Sequence, residues 1–320
     1  MHSEFDFIQN IKNKYGLAKI GDDCAVLPKD DKTDMVVTTD MLVEDIDFRL
    51  DWTTPEFLAH KSLVVSLSDV AAMAGTPVWV LLSIGIPESL WQSDFIGRFY
   101  EPWHNLSARF GVEIVGGDIS KTPEKVVINT VVGGEVSRGK AVLRSGAKPG
   151  NAIYVTGELG GAAGGLQLLE NGFRYGVGPE RIWRKHLMRK QLKPWGQGRM
   201  DNLLRDVEFA TAGIDISDGL SSDLEHLCRE SGVGARIFAK RIPVNRWLRG
   251  LTKSETERLD FALNGGEDFE LIFTVEENNF LPPPDSVFRH IGEVTANAGI
   301  IELIRDGKSE ILEPKGYRHF

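Results

Sequence analysis

Apolar residues in this chain come in short runs, and most of the runs end in glycine, serine or aspartate. Phe5, Ile8 and Ile11 recur at helical spacing and predict a first helix, with Ser3 at its cap. GDDCAVLP opens a strand, and Asp30-Asp31-Lys32 turns the chain into the stretch Val36 to Phe48, VVTTDMLVEDIDF. Thr54 at the cap and Pro55 at the first helical position begin a long helix with Phe57, Leu58, Leu63 and Val64 on its apolar face. It continues through SLSDVAAMAG and stops at Gly75-Thr76-Pro77. WVLLSIGIP reads as a buried strand, residues 88–110 as one helix, EIVGGD as a strand reaching a glycine corner, and VVINTVVGGEV as a further strand.

RSGAKPG, residues 144–150, is small, polar and turn-forming, and predicts a division into domains 1–145 and 146–320. Beyond it, AIYVTGELGG restarts a strand and enters a helix. Residues 174–199 carry eight Arg and Lys with little periodicity and read as a solvated helix face. AGIDISDGLSSDLEHLCRESGVG predicts a strand, an acidic corner and a helix ended by Gly232. GGEDFELIFTV is a second glycine-acid corner feeding a strand, and short strands near 288–294 and 299–303 close the chain. The alternation of strands and helices predicts an α/β (α+β) fold, and the absence of a repeat excludes a solenoid.

The length of 320 residues allows two domains, each burying a core of its own. A net charge of −9 argues against a nucleic-acid footprint, and an acidic protein that handles anions needs cations to bridge the repulsion. Cys24 and Cys228 form neither a CxxC pair nor a ligand cluster, which fits a reducing compartment. The first residues lack the apolar core of a signal peptide, and the longest apolar run, Val78 to Ile86, is far short of a membrane span. The expectation is a soluble cytoplasmic protein with no membrane partner.

Familiar catalytic signatures fail on inspection. Gly134 to Lys140 matches G-x-x-x-x-G-K, but Ala141 replaces the hydroxyl residue that ligates Mg²⁺ in that loop. Gly157-Glu-Leu-Gly160-Gly161 lacks dinucleotide-binding spacing. The histidines show no H-E-x-x-H spacing, no G-x-S-x-G elbow occurs, and Ser217 has no identifiable base. What remains are the acidic corners holding Asp23, Asp40, Asp69, Asp118, Asp215 and Asp218. Aspartate beside glycine is ordinary in one turn or one helix cap. Six such carboxylates sharing a pocket would raise each other's pKa unless cations neutralised them. Several Mg²⁺ ions with a polyphosphate substrate suit this supply of oxygen ligands.

In their order, GDDCAVL, TTDMLVEDIDF, SLSDVAAMAGTP, GGDIS, VTGELGGAAGGL, DISDGLSSDL, GGEDFELIFTV and GYRHF resemble the thiamine-monophosphate kinases nearly end to end. That family belongs to a superfamily with aminoimidazole-ribonucleotide synthetase and selenophosphate synthetase. The resemblance implies ATP-dependent phosphorylation of thiamine monophosphate to thiamine diphosphate. It also implies an N-terminal domain that dimerises, a C-terminal α/β domain, and ATP near their junction and the dimer interface. Mapped by motif, Asp23, Thr38, Thr39, Asp40, Asp69, Asp118, Asp215 and Asp218 correspond to the magnesium shell, with Asp40, Asp118 and Asp218 as catalytic positions. Tyr100, Gly117, Asp118, Arg144 and Ser217 correspond to nucleotide contacts, and Asp47, Glu267 and Tyr317 to the acceptor site. Asp47 stands where the family usually has His, and Ile119 where it usually has Thr.

A phosphate-monoester acceptor, with a second pKa near ~6, is already largely a dianion at neutral pH. Direct in-line transfer then needs no general base, in keeping with a chain rich in ligands and poor in bases. Alternatives within the superfamily are disfavoured by residues they would require. Cys24 lies inside GDDCAV rather than in a reactive Cys–Lys pair, and GYRHF has no terminal cysteine. A non-catalytic nucleotide- or metal-binding protein on the same scaffold stays open.

Overall fold

The computed structural model describes residues 4–178, 181–195, 209–276, 280, 282 and 286–317. Five strands form the first sheet: β1 (Ala25–Pro28), β2 (Thr33–Val43), β3 (Thr76–Pro87), β4 (Glu113–Thr122) and β5 (Val127–Ser137), in the order β1-β2-β5-β3-β4. β3 and β4 run parallel, and the other neighbours are antiparallel. Along β2, Val36, Thr38 and Leu42 turn inward while Thr39 and Met41 face out, as the two-residue period of a strand requires.

Helix α1 (Glu4–Tyr15) precedes this sheet, and α2 (Pro55–Ala72) packs against it. The cap expected at Ser3 lies outside the described residues. Thr54 does cap α2, accepting from the Phe57 N–H at 3.3 Å, with Pro55 at the first helical position. α2 is buried on nearly every side because it lies between two sheets, touching β2 and β5 on one side. Residues 88–110 are not one helix. They form α3 (Glu88–Trp91) and α4 (Phe95–Arg109), because the Ser93 hydroxyl accepts the Phe95 N–H at 3.1 Å and so opens a new helix.

The second sheet contains β6 (Asn151–Thr156), β7 (Ala212–Ile216), β8 (Gly234–Phe238), β9 (Glu270–Glu276), β10 (Phe288–Thr295), β11 (Ile301–Arg305) and β12 (Lys308–Ile311). Its order is β12-β11-β8-β10-β6-β9-β7, and among the described strands of this sheet only β8 and β11 pair in parallel. Helices α5 (Gly161–Glu170), α6 (Ile182–Leu192), α7 (Leu220–Ser231) and α8 (Glu255–Asn264) accompany it. Gly232 ends α7 in the left-handed conformation, as its sequence predicts. β8, β12 and α8 were not expected from the hydrophobic pattern, although Ser254 and Glu257 form a capping box at the start of α8.

The far side of α2 meets β7 and β9. One apolar cluster therefore runs from Val36, Leu63 and Met73 into Tyr154, Leu271 and Phe273 of the second sheet. A second cluster, with Ile153, Ile214 and Leu224, fills the other face of that sheet. α2 thus fixes the two halves relative to each other, and residues from both halves meet at its C-terminal end. Among the described residues no helix is long and apolar enough to cross a membrane.

Candidate functional site

The acidic corners meet where α2 ends. Asp69 lies in the last turn of α2, where the helix dipole is itself negative. Asp215 stands near the end of β7, and Asp23 just before β1. One carboxylate oxygen from each of Asp23, Asp69 and Asp215 can lie within 4.8 Å of the others. Neighbouring hydroxyls orient these acids: Thr38 donates to Asp69 at 2.5 Å, Ser68 to Asp215 at 2.7 Å, and Ser66 to Asp40 at 2.6 Å. The Arg144 guanidinium donates to Asp23 through Nε at 3.0 Å and also through Nη2, and its backbone N–H donates to Asp22 at 2.8 Å.

Burial, followed by mutual repulsion, pushes the Asp69 and Asp215 carboxyls well above the usual carboxylate range. Burial also raises Asp23, although Arg144 pulls it back. Asp40 is pushed up to about 6, burial outweighing the Ser66 hydroxyl. Burial opposes the Arg144 charge, but Asp23 prevails and holds the guanidinium above its ordinary value. A buried set of hard oxygen donors, with one guanidinium against Asp23, Asp40, Asp69 and Asp215, fits a divalent cation of the Mg²⁺ type. The cation would relieve the repulsion that otherwise favours protonation.

Next to this cluster is a cavity of about 540 Å³ whose walls include Asp40, Asp47, Ser217, Asp218, Glu267 and Tyr317. The loop after α8 closes one wall: Glu267 N–H donates to Ser217 O at 2.8 Å and Tyr317 N–H to Asp218 O at 3.1 Å. The last three residues of the GYRHF motif lie outside the described residues. Asp47 turns one carboxylate oxygen onto the Val43 N–H at 2.7 Å, bracing the turn in which Asp45 has a positive φ of 73°.

Two expected ligands are placed elsewhere. Thr39 faces the opposite side of β2 from Thr38 and Asp40, donating to Asn129 at 3.0 Å. Asp118 is not at a corner. After an irregularity at Val115, β4 continues as paired strand through Gly116 and Gly117, where a Cβ on Gly117 would lie 1.9 Å from the Leu82 carbonyl oxygen and only glycine fits that close approach. Asp40 pairs with Thr130, Thr130 with Leu82, and Leu82 with Gly117. Asp118 is therefore about three strand spacings, roughly 14 Å, from Asp40 within one chain. With Tyr100, Gly117 and Ile119 it lines a separate cavity of about 520 Å³.

Three residues that touch the site were not singled out from the sequence. Asp223 accepts the Asp218 and Gly219 N–H groups at 3.2 and 2.9 Å, and burial beside Asp218 raises its carboxyl well above the usual range. It also groups with Asp218 and His226 within ligand distance. Its spacing in DGLSSD is a helix-start signal that hides the second role. Lys61 and Gln191 both contact Glu267, and neither lies in a recognisable motif.

Residues 21–136 match the profile of the AIR synthase related protein, N-terminal domain, and residues 148–303 that of the C-terminal domain. Among curated proteins, the chain is similar to the thiamine-monophosphate kinase of Escherichia coli strain K12, 37% identical over 309 residues, covering 94% of this chain and 91% of that one. It is also 34% identical over 311 residues to the Bacillus subtilis strain 168 enzyme of the same name, covering 94% and 93%. Of solved structures, AaThiL complexed with AMPPCP and TMP superposes with a TM-score of 0.87 at 33% identity, covering 99% of this chain and 97% of that one. The chain belongs to the AIR synthase related family and, within it, to the thiamine-monophosphate kinases.

Proposed function

We propose that this chain transfers the γ-phosphoryl group of ATP to the phosphate of thiamine monophosphate, giving thiamine diphosphate and ADP. The observation that carries this reading is the contact between two features. The Asp23–Asp69–Asp215 cluster adjoins a cavity lined by Asp40, Asp218, Glu267 and Tyr317, with the Tyr317 and Glu267 loops hydrogen-bonded to Asp218 and Ser217. Related proteins bearing the name thiamine-monophosphate kinase, and a similar structure holding AMPPCP and TMP, support it.

A divalent cation such as Mg²⁺, held by Asp23, Asp69 and Asp215, would neutralise charge on the polyphosphate. Asp40 and Asp218 border the cavity next to that cluster, and Thr38 and Ser68 keep two of its carboxylates aimed inward. Arg144 and Ser217 approach as nucleotide-phosphate contacts. Tyr317, half-exposed at the cavity wall, offers an aromatic face to the acceptor rings. The acceptor dianion attacks in line, so no side chain has to remove a proton and no phosphoenzyme forms.

The nucleotide positions Tyr100, Gly117 and Asp118 are far from Asp40 in one chain, and β4 is an edge strand with Val115 and Ile119 exposed. We therefore read the working unit as a homodimer in which β4 lies at the interface and a second copy completes the nucleotide site. Both cysteines are free and buried, in keeping with a reducing compartment such as the cytoplasm.

Incubation with ATP, Mg²⁺ and either thiamine monophosphate or free thiamine tests the reading. Thiamine diphosphate from the monophosphate alone is expected. ATP binding with no product from either acceptor would overturn it, and a trapped phosphoenzyme would overturn the direct mechanism.

A further inference from the structure

Glu267 is held in an unusual way. Its backbone is left-handed, with φ of 64°, and Phe269 follows at 49°, so two non-glycine residues in three carry strain. Such strain persists only where the surroundings fix it. Here the Lys61 ammonium pairs with Glu267 Oε1 at 2.6 Å, and Gln191 Nε2 donates to Glu267 Oε2. Trp195 Nε1 donates to the Phe269 carbonyl at 2.6 Å. Both carboxylate oxygens of Glu267 are thus engaged by side chains from different elements. Gln191 Oε1 is buried without a partner, so its amide is oriented to serve the carboxylate rather than its own acceptor.

Lys61 makes a second contact. Its side chain is 4% exposed, and its Nζ also donates to the Asp47 backbone carbonyl at 3.2 Å. One buried ammonium therefore ties together the Asp47 loop and the Glu267 loop, on two sides of the larger cavity. Lys61 also precedes Ser68 by two helical turns on the same face of α2, a rise of about 10 Å. Ser68 and Asp69 belong to the acidic cluster. The same rigid helix thus spans from the acidic cluster to the acceptor wall.

We propose that Lys61, with Gln191, is a positioning residue for the acceptor: it fixes Glu267 and the Asp47 loop at a set distance from the acidic cluster. Glu267, its charge matched by Lys61 and both its oxygens held, then presents a rigid polar wall to the acceptor. Lys61 borders the cavity itself, with its ammonium turned onto Glu267 and the Asp47 carbonyl. This inference rests on the acceptor reading given above.

Steady-state kinetics of full-length Lys61→Met, Gln191→Met, Glu267→Ala and Lys61→Met/Glu267→Ala test it, varying thiamine monophosphate and ATP separately. Lys61→Met should raise the KM for thiamine monophosphate by about tenfold or more, the scale seen when a supporting contact of a site is removed. Its KM for ATP should stay within about twofold, and the substitution should add little in the Glu267→Ala background. Gln191→Met should show the same split, and it carries the test if Lys61→Met does not melt cooperatively. An unchanged acceptor KM, equal rises in both KM values, or additivity with Glu267→Ala would overturn the proposal while leaving the kinase reading intact. A wild-type protein without activity on thiamine monophosphate would overturn both.

Discussion

Arg144 donates from Nε to Asp23 at 3.0 Å at the junction of the two halves. The pair joins a residue just before the first sheet to one in the turn-rich segment before the second. It is the charge-bearing part of a larger link, since the Arg144 carbonyl accepts from Ser231 at 2.9 Å and its N–H donates to Asp22. An ion pair this enclosed is weak evidence of net stabilisation, but breaking it leaves one charge without a partner.

Arg144→Met should therefore destabilise the metal-free protein by about 3 kcal/mol at pH 8, the usual scale for orphaning a buried charge. Without the guanidinium, Asp23 rises further above its ordinary range, so the loss is largest where Asp23 is ionised and shrinks as the pH falls toward 4. Urea denaturation in chelator at several pH values measures this. A loss that does not vary with pH would contradict the assignment.

On the proposed reaction, Asp40→Asn should reduce turnover by about a hundredfold or more, through loss of a carboxylate at the cavity wall beside the acidic cluster. Its effect on stability should be opposite. The folded pKa of about 6 lies above the ordinary 3.8, so the folded state binds more protons than the unfolded one between those values. Stability then falls as pH rises through that window and stays lower above it. A two-unit shift is worth about 3 kcal/mol. Metal-free Asp40→Asn should be more stable than wild type by an amount of that order at pH 8, and the two should converge below pH 4. The Ser66 hydroxyl can still donate to the asparagine oxygen, so the comparison isolates the charge. Chemical denaturation in chelator reads the difference, and a less stable variant at pH 8 would count against a raised Asp40.

What could be read in the sequence was governed by local rules. Thr54 and Pro55 start α2, Gly232 ends α7, and the alternation of β2 follows from neighbours in the chain. The convergence of Asp23, Asp69 and Asp215 was legible because each stands at one end of an apolar element, Asp23 before β1 and the other two near the ends of α2 and β7. Gly116-Gly117-Asp118 looked the same in sequence, yet there Gly117 answers to the Leu82 backbone and not to a turn. Nor could a local rule find Lys61, Gln191 or Asp223. Their partners Glu267 and Asp218 lie close to them only through the packing of α2, α6 and the loop after α8, or, for Asp223, through a cap that looks ordinary.

Gly117→Ala tests the close approach of β3 and β4. The new Cβ would meet the Leu82 carbonyl oxygen at 1.9 Å and its carbon at 2.9 Å, and the backbone φ of 159° offers no relief. The strands must separate or slip, at a cost of roughly 2–4 kcal/mol. On the proposed nucleotide role of Tyr100 and Asp118, which share that cavity, a lower melting temperature should come with loss of ATP affinity. A variant that melts and binds ATP like wild type would show that the strand tolerates the methyl group.

The dimer is tested at the same edge strand. Val115 and Ile119 are 51% and 56% exposed on β4, the outermost strand of its sheet. An edge with exposed apolar side chains either pairs with another chain or is shielded by charge, and here the strand carries Glu113, Asp118 and Lys121 beside them. Light scattering coupled to gel filtration should find the wild type as a dimer. Val115→Glu/Ile119→Glu should leave a folded monomer, because both side chains already face solvent in the single chain and burying two carboxylates at an interface is costly. That monomer should lose turnover although its Asp23–Asp69–Asp215 cluster is untouched, since Asp118 would no longer reach a partner's site. Ile119→Thr, which restores the residue usual in the family, should remain dimeric and active. A glutamate double variant that stays active as a monomer would place the whole reaction within one chain and return Asp118 to a structural role.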